Sequence, residues 1–412
     1  MENFKGHCYV FIPCNYSDTE SLSRMESTFS NVVECDSHNF LIEMEKRVNE
    51  EVVGSMQKHL VRKSMGRIKV LCSDNAEVTP KNYKYSEADV LLTIHERTKL
   101  CVVVLVLRDA RISVSQLLDQ ISKEQILYKA TEGDELSNLE ETLSTELGLE
   151  KSGTIRTCLS ISETYKPSDE LMLYYLAGET YLSESMDAKL ISNELKSFVD
   201  NNVAQYDSSD LFIGNKTIVR IDKRKECQKN GPSLYSDVVF LFIVELMSFK
   251  DAAISRTNMK VLNKIAETEK LSLSFIDHYS SEFGVTMPFW NVDVFRYITA
   301  QQLARCIDDR FGTLKSYNDY MENQRFLEHR VNIKNALSTE VENKILNTIA
   351  VLVFLFEAIP AVYSLILTAI GPNSLTSDKS LAGLGSVSLV SFSLILLLLI
   401  LKRRNKERYL EN

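Results

Sequence analysis

Two long apolar stretches stand near the end of the chain, after a sequence in which apolar and polar positions alternate. The first runs over residues 345–370 and the second over residues 381–401. Each is long enough to cross a hydrocarbon core of about 30 Å as a helix. The pattern therefore predicts a two-helix transmembrane hairpin, with residues 371–380 as its outer loop.

Charge predicts how this hairpin is oriented. Lys and Arg residues precede the first stretch and fill the tail at residues 402–412, whereas the loop contains a single basic residue, Lys379. Short flanking segments on the cytoplasmic side are enriched in positive residues. We therefore expect a multi-pass protein of the cytoplasmic membrane with both termini in the cytoplasm. The N-terminus has too short an apolar segment for a signal peptide.

The first 230 residues alternate strand-like and helix-like segments. Short runs rich in Val, Ile, Leu and Tyr predict strands, and helical spacing lies between them. The strand-like runs cover residues 7–13, 67–72, 89–95, 101–107, 154–161 and 211–221. This alternation predicts an α/β cytosolic domain over residues 1–230.

Helix dominates after Gly231 and Pro232. We expect a helical bundle segment over residues 231–312 and one long helix over residues 313–370, where the sequence has no Gly and only one Pro, Pro360. Such a helix would be about 87 Å long. Between Leu314 and Ile345 it carries an apolar stripe at near-heptad spacing with one irregular step, formed by Leu314, Tyr317, Met321, Leu327, Val331, Leu337, Val341 and Ile345. A stripe of this kind needs partner helices, which predicts a homo-oligomer.

The first apolar stretch also has a polar face. On a helical wheel Asn347, Glu357, Ser364 and Thr368 fall within an arc of roughly 100°. Carboxylates inside a membrane usually face a bundle interior or an ion path. The face predicts either a pore wall, with several subunits around it, or an anchor in which Glu357 pairs with a hydroxyl of a neighbouring helix.

This order of elements resembles the CorA family of divalent-cation channels. The family carries Gly-Met-Asn at the outer end of its first span, and this chain has Gly371, Pro372 and Asn373 there. The resemblance implies a funnel-shaped pentamer whose first span lines the pore. It also implies that Asn373 contacts the water shell of a magnesium ion. The segment 242–258 resembles CorA-like proteins linked to antiviral defence.

Motifs of catalysis are missing from the sequence. We find no GxxxxGK[ST], GxGxxG, HExxH or GxSxG, and we therefore predict that the protein is not an enzyme. The net charge of −9 argues against nucleic-acid binding. Two basic clusters are candidate sites for an anionic ligand such as a nucleotide, or else solvated faces. They contain Arg62, Lys63 and Arg67 in one case and Arg220, Lys223 and Arg224 in the other.

Together these features predict a homo-oligomeric membrane channel for magnesium or another divalent cation, gated by its cytosolic domain. Two alternatives stay open: a nucleotide-gated membrane effector of an antiviral defence system, and a non-conducting membrane-anchored scaffold. The expected partners are further copies of the chain, the lipid bilayer and a nucleotide. No cofactor is expected apart from Mg²⁺ as a permeant or regulatory ion.

Overall fold

The structure is a computed structural model that describes most of the chain up to residue 370. The described residues are 6–16, 37–51, 60–71, 85–108, 120–121, 125–129, 135–163, 196–204, 207–230, 234–266, 273–370 and 392. The chain divides into two compact units. One comprises residues 1–262 and 279–321, and the other comprises residues 263–278 and 322–412.

A mixed ten-stranded sheet organises the first unit. The strands are β1 (Gly6–Tyr16), β2 (Leu60–Leu71), β3 (Tyr85–His95), β4 (Leu100–Leu107), β5 (Leu127–Lys129), β6 (Ser137–Asn138), β7 (Leu149–Lys151), β8 (Arg156–Ser162), β9 (Ser209–Ile213) and β10 (Thr217–Asp222). Their order is β6-β5-β2-β3-β4-β1-β8-β10-β9, with β7 paired to β1. Among the described strands only β8 and β10 pair in parallel, and the other neighbours are antiparallel.

The sheet has a buried apolar layer on each face. Strand β4, with the sequence LCVVVLVL, is buried at every position, as expected when both faces of a strand are covered. Successive side chains point to opposite faces. Accordingly Val10 and Ile12 belong to one apolar cluster, while Tyr9 and Phe11 belong to the other.

Helices cover the face that carries Tyr9 and Phe11. The α-helices of the described residues are α1 (Ser37–Glu51), α2 (Leu139–Glu141), α3 (Lys225–Asn230), α4 (Leu234–Ala266), α5 (Leu273–Gly284), α6 (Ile298–Arg310) and α7 (Thr313–Ile370). Helices α1, α4 and α6 contribute to the cluster of Tyr9 and Phe11, whereas Leu139 of α2 belongs to the other cluster. The central part of α4, residues 240–254, is buried at every position. Its residues Phe242, Val244 and Met247 share the apolar cluster of Tyr9 and Phe11.

The last described helix, α7, is 58 residues long. It begins in the first unit and continues into the second. In its first half Leu327 and Val331 are buried. The apolar stretch predicted at 345–370 is helical and forms the end of α7.

The predicted fold class is wrong in its membrane part. None of the helices in the described part of the chain combines the length and the apolar content that crossing a bilayer requires. The predicted CorA-like funnel with a C-terminal transmembrane hairpin, and the predicted multi-pass location in the cytoplasmic membrane, are both overturned by this finding. In place of the hairpin, the described residues contain the large mixed sheet with its helices.

The physical reason lies in the composition of α7. Its last part exposes the polar side chains Asn347, Glu357 and Ser364 and contains Pro360 inside the helix. Polar groups are costly in a hydrocarbon core unless they are paired. The length of an apolar run alone is therefore a poor indicator of whether a helix crosses a membrane. The predicted second span, 381–401, lies outside the described residues except for Phe392.

Candidate functional site

Polar side chains gather where the parallel strands β8 and β10 end. Ser160 and Ser162 lie near the end of β8, and Arg220 and Asp222 occupy the paired positions on β10. Ligands of α/β sheets commonly bind at the carboxyl ends of parallel strands. We use the name carboxyl-end cluster for Tyr9, Ser160, Ser162, Arg220, Asp222, Arg224 and Asp237.

The carboxylate of Asp237 is the centre of this cluster. It is fully buried and accepts hydrogen bonds from the Tyr9 hydroxyl at 2.9 Å and the Ser160 hydroxyl at 3.1 Å. It also forms an ion pair with Arg220. Asp237 lies in the first turn of α4, where the helix dipole favours a negative charge. This carboxylate therefore connects the start of α4 to three strands of the sheet.

A second buried carboxylate, Asp222, is enclosed by arginines. Its Oδ1 accepts hydrogen bonds from the Arg224 backbone N–H at 3.0 Å and from Arg224 Nε at 2.9 Å, and Arg220 lies 3.4 Å from its Oδ2. Burial by itself would raise the pKa of Asp222, but the hydrogen bonds and charges of the two arginines outweigh it. The pKa is therefore lowered, and Asp222 is ionised at neutral pH.

The phenol of Tyr9 is not suited to act as a base. Burial, followed by the charge of Asp237, raises its pKa well above the ordinary value. Tyr9 therefore remains a hydrogen-bond donor to Asp237. The Ser162 hydroxyl differs from the other groups of the cluster. It is buried without a hydrogen-bond partner among the described residues. The cluster as a whole fixes the position of α4 and lacks an activated nucleophile.

Three of the residues predicted to bind an anion belong to this region. Arg220 and Arg224 contact the carboxylates just described, and Lys223 Nζ lies 2.6 Å from Asp210 Oδ1. An anionic ligand would have to compete with these carboxylates. Nucleotide binding at this cluster stays a prediction.

The other predicted cluster is divided by the pleat of β2. Arg62 is buried, and its NH2 group lies 2.7 Å from Glu245 Oε2. Its neighbour Lys63 is exposed, on the opposite face of the strand. Arg67 pairs with Asp89 at 2.8 Å. The structure therefore separates residues that the sequence places together.

The residues predicted to line a pore are distributed along α7 and beyond it. Asn347, Glu357 and Ser364 are exposed on this helix, and Thr368 lies in its last turn. Gly371 and Asn373 lie outside the described residues. The described part of the chain contains no group of three or more His, Cys, Asp or Glu side chains placed to hold a metal ion.

Sequence reasoning missed the buried charges of α4. The helix carries Asp237, Glu245, Lys250 and Asp251 within an apolar surface, and all four are buried. Lys250 Nζ lies 2.7 Å from Asp308 on α6, and Asp251 pairs with an arginine of β8. The signal was present, since a charge in an all-apolar helix must find a partner.

Comparisons with known proteins add no relative. No family model matches this chain, and neither a curated protein nor a solved structure matches it. The resemblance to the CorA family therefore stays a prediction from the sequence.

Proposed function

We propose that this chain is a non-catalytic assembly protein that acts as a homo-oligomer joined through the part of α7 that follows Val331. The observation that carries the proposal is an exposed apolar surface on that helix. Leu337, Val351 and Phe354 are 57%, 59% and 70% exposed. Large apolar side chains grouped on one element usually mark an interaction surface.

Earlier on α7 some apolar side chains are covered, whereas others are not, such as Phe326 at 64% exposure. Leu327 and Val331 are 4% and 2% exposed, because the chain itself covers them. After Val331, by contrast, none of the apolar side chains that the structure describes on α7 is buried. A helix of this kind is stabilised mainly by packing of its apolar side chains. The exposed apolar side chains after Val331 consequently need a partner.

A second copy of the chain is the occupant that fits this surface. In a parallel pair of helices each apolar residue faces its own counterpart, so the surface is complementary to itself. Two charged residues of this segment, Glu340 and Lys344, neutralise each other, because they form an ion pair at 2.7 Å on the same helix. They therefore do not repel a second copy. Most soluble oligomers consist of identical subunits. The pentamer implied by the CorA resemblance is one form that such an assembly would take.

The carboxyl-end cluster supports the non-catalytic part of the proposal. The Asp222 and Asp237 carboxylates are bound by internal donors, and burial keeps Tyr9 protonated. Such groups hold elements together more readily than they transfer protons to a substrate.

Native mass spectrometry of the full chain tests this proposal. We expect a discrete oligomer for the wild type and dissociation for the double variant Leu337→Lys with Phe354→Lys, because a charge at each position must be buried in the interface. The control is Ser338→Lys with Ala350→Lys, which places the same charges at exposed neighbouring positions. A monomeric wild type at tens of micromolar protein, or equal loss of assembly in both variants, would show that α7 is not the interface.

A further inference from the structure

Two cysteines face each other across the strands β1 and β4 in the middle of the sheet. Cys14 of β1 and Cys101 of β4 occupy directly opposed positions of this antiparallel pair. Both side chains are fully buried and belong to the apolar cluster of Val10 and Ile12, so they lie on the same face of the sheet. Both thiols are free. The register of the two strands therefore places two reduced thiols side by side within the first unit.

The separation of the two strands suits a bond between these thiols. The N–H group of Tyr16 donates to the Lys99 carbonyl at 3.1 Å, and hydrogen-bonded pairs recur at every second position of an antiparallel ladder. Cys14 and Cys101 therefore form a hydrogen-bonded pair, in which the Cα atoms lie about 5.5 Å apart. Disulfides commonly join residues at this Cα separation. The Cβ atoms of such a pair, about 5 Å apart, need to approach to about 4 Å.

The other described cysteines of the central strands have no thiol opposite them. Cys8 lies on the same face of β1 as Cys14, but its opposed residues are Leu107 on β4 and Leu159 on β8. Cys158 of β8 belongs to the apolar cluster on the other face of the sheet. The pairing of thiols is thus specific to one position of the ladder between β1 and β4.

We propose that Cys14 and Cys101 form a reversible disulfide that cross-links β1 to β4 when the chain meets a low-molecular-weight disulfide such as oxidised glutathione. The thiolate of one cysteine attacks the small disulfide and releases one small thiol. The second cysteine then displaces the other small thiol from the mixed disulfide. The two protein thiols lose two electrons and two protons, and the two released thiols carry them.

Burial protects both thiols while the sheet is closed. It raises the pKa of Cys14 to about 12 and the pKa of Cys101 well above its ordinary value, and only the thiolate takes part in exchange. Exchange therefore requires local opening of the strand ends. Both residues are close to such ends, since β1 ends at Tyr16 and β4 begins at Leu100. The bond then closes a long loop of the unfolded chain, which stabilises the folded sheet.

Peptide mapping without reduction tests this proposal. The full chain is equilibrated with oxidised glutathione, unfolded in N-ethylmaleimide and digested for mass spectrometry. We expect peptides joined through Cys101 in the wild type and none in Cys14→Ser. The matched control is Cys8→Ser, which removes the other buried thiol on this face of β1 and should keep the bond. Oxidation should raise the urea midpoint of the wild type by about 1 M and leave that of Cys14→Ser unchanged.

Cys306 reports when the reagent has acted, because its side chain is only half-buried. Equilibration continues until this thiol carries glutathione, and Cys101→Ala repeats the test from β4 in case Cys14→Ser does not fold. The proposal is wrong if Cys14 and Cys101 are then both recovered with N-ethylmaleimide in the wild type. It is also wrong if Cys8→Ser removes the bond, or if oxidation leaves the wild-type urea midpoint unchanged.

Discussion

The Arg62–Glu245 pair provides the sharpest test of how α4 is attached to the sheet. Arg62 lies on β2 and Glu245 on α4, with 2.7 Å between Arg62 NH2 and Glu245 Oε2. Arg62→Met removes the cation and retains an apolar side chain of similar length. The carboxylate of Glu245 then stays buried with Thr93 as its remaining described donor.

The expected loss of stability is large because solvent does not screen the pair. With both side chains 2% exposed, removal of one partner leaves an uncompensated buried charge. Breaking a buried pair in this way costs about 3–5 kcal/mol of the free energy of unfolding. Replacing both residues, as in Arg62→Met with Glu245→Leu, removes the charge as well as the pair, and such replacements are often neutral or stabilising. The double variant should therefore be more stable than the single variant.

Urea unfolding followed by circular dichroism measures this difference. With an m-value of about 3 kcal/mol/M, the single variant should unfold at a urea concentration lower by about 1–1.7 M. The double variant should return close to the wild-type midpoint with an unchanged m-value. A loss below about 1 kcal/mol in the single variant, which is the range of solvent-exposed pairs, would contradict the buried position of this pair.

Three further predictions concern neighbouring features. Asp222→Asn should lower the free energy of unfolding by about 2 kcal/mol at pH 7, because a charge-assisted hydrogen-bond network is lost. Since the folded pKa of Asp222 is lowered, this contribution is present above the unfolded pKa of about 4 and disappears as the pH falls through the folded pKa. Urea midpoints from pH 7 to pH 3 should therefore converge between the two proteins, and a pH-independent difference would contradict this explanation. Gly153→Ala should destabilise the protein by about 2 kcal/mol, since φ is +102° and a Cβ atom would lie 3.1 Å from the backbone of α4. The control is Gly284→Ala, where no atom lies within 4 Å of the added Cβ. Equal melting temperatures of the two variants in thermal unfolding would refute this prediction. Asp308→Ala should lower the free energy of unfolding by about 3 kcal/mol, because it leaves the Lys250 ammonium buried without this carboxylate. Adding Lys250→Met should restore much of that loss. If the double variant is no more stable to urea than the single one, the ion pair is not the cause.

The central strands could be predicted from sequence because their apolar runs are long and rich in β-branched residues. Residues 7–13, 89–95 and 101–107 all lie within observed strands. The prediction of one strand at 211–221 is wrong, because this run forms the hairpin of β9 and β10. The Gly214 N–H group closes its turn by donating to the Thr217 carbonyl at 2.8 Å. A glycine within an apolar run signals such a turn.

The membrane prediction failed for a different reason. An apolar run of sufficient length is compatible with a transmembrane helix and also with a helix that packs against protein. The run cannot show which environment its polar residues meet. The exposed positions of Asn347, Glu357 and Ser364 on α7 became visible only in three dimensions.

The partners of the candidate sites depended on contacts between residues that are distant in sequence. Arg62 and Glu245 are 183 positions apart, and Tyr9 and Asp237 are 228 positions apart. Composition identified the cations, but it gave no information on which carboxylate each would meet. Such pairs follow from the order of strands in the sheet and from the placement of α4 upon it.

The buried charges of α4 restrict how the length of this helix can change during evolution. Inserting one residue after Asp237 would rotate the following part of the helix by about 100°. That rotation would break three ion pairs at once, those of Glu245 with β2, of Lys250 with α6 and of Asp251 with β8. Exchange of one apolar residue for another affects a single contact, whereas an insertion or deletion affects every ion pair beyond it. Related sequences should therefore vary in the apolar residues of α4 while keeping the spacing of its charged residues constant.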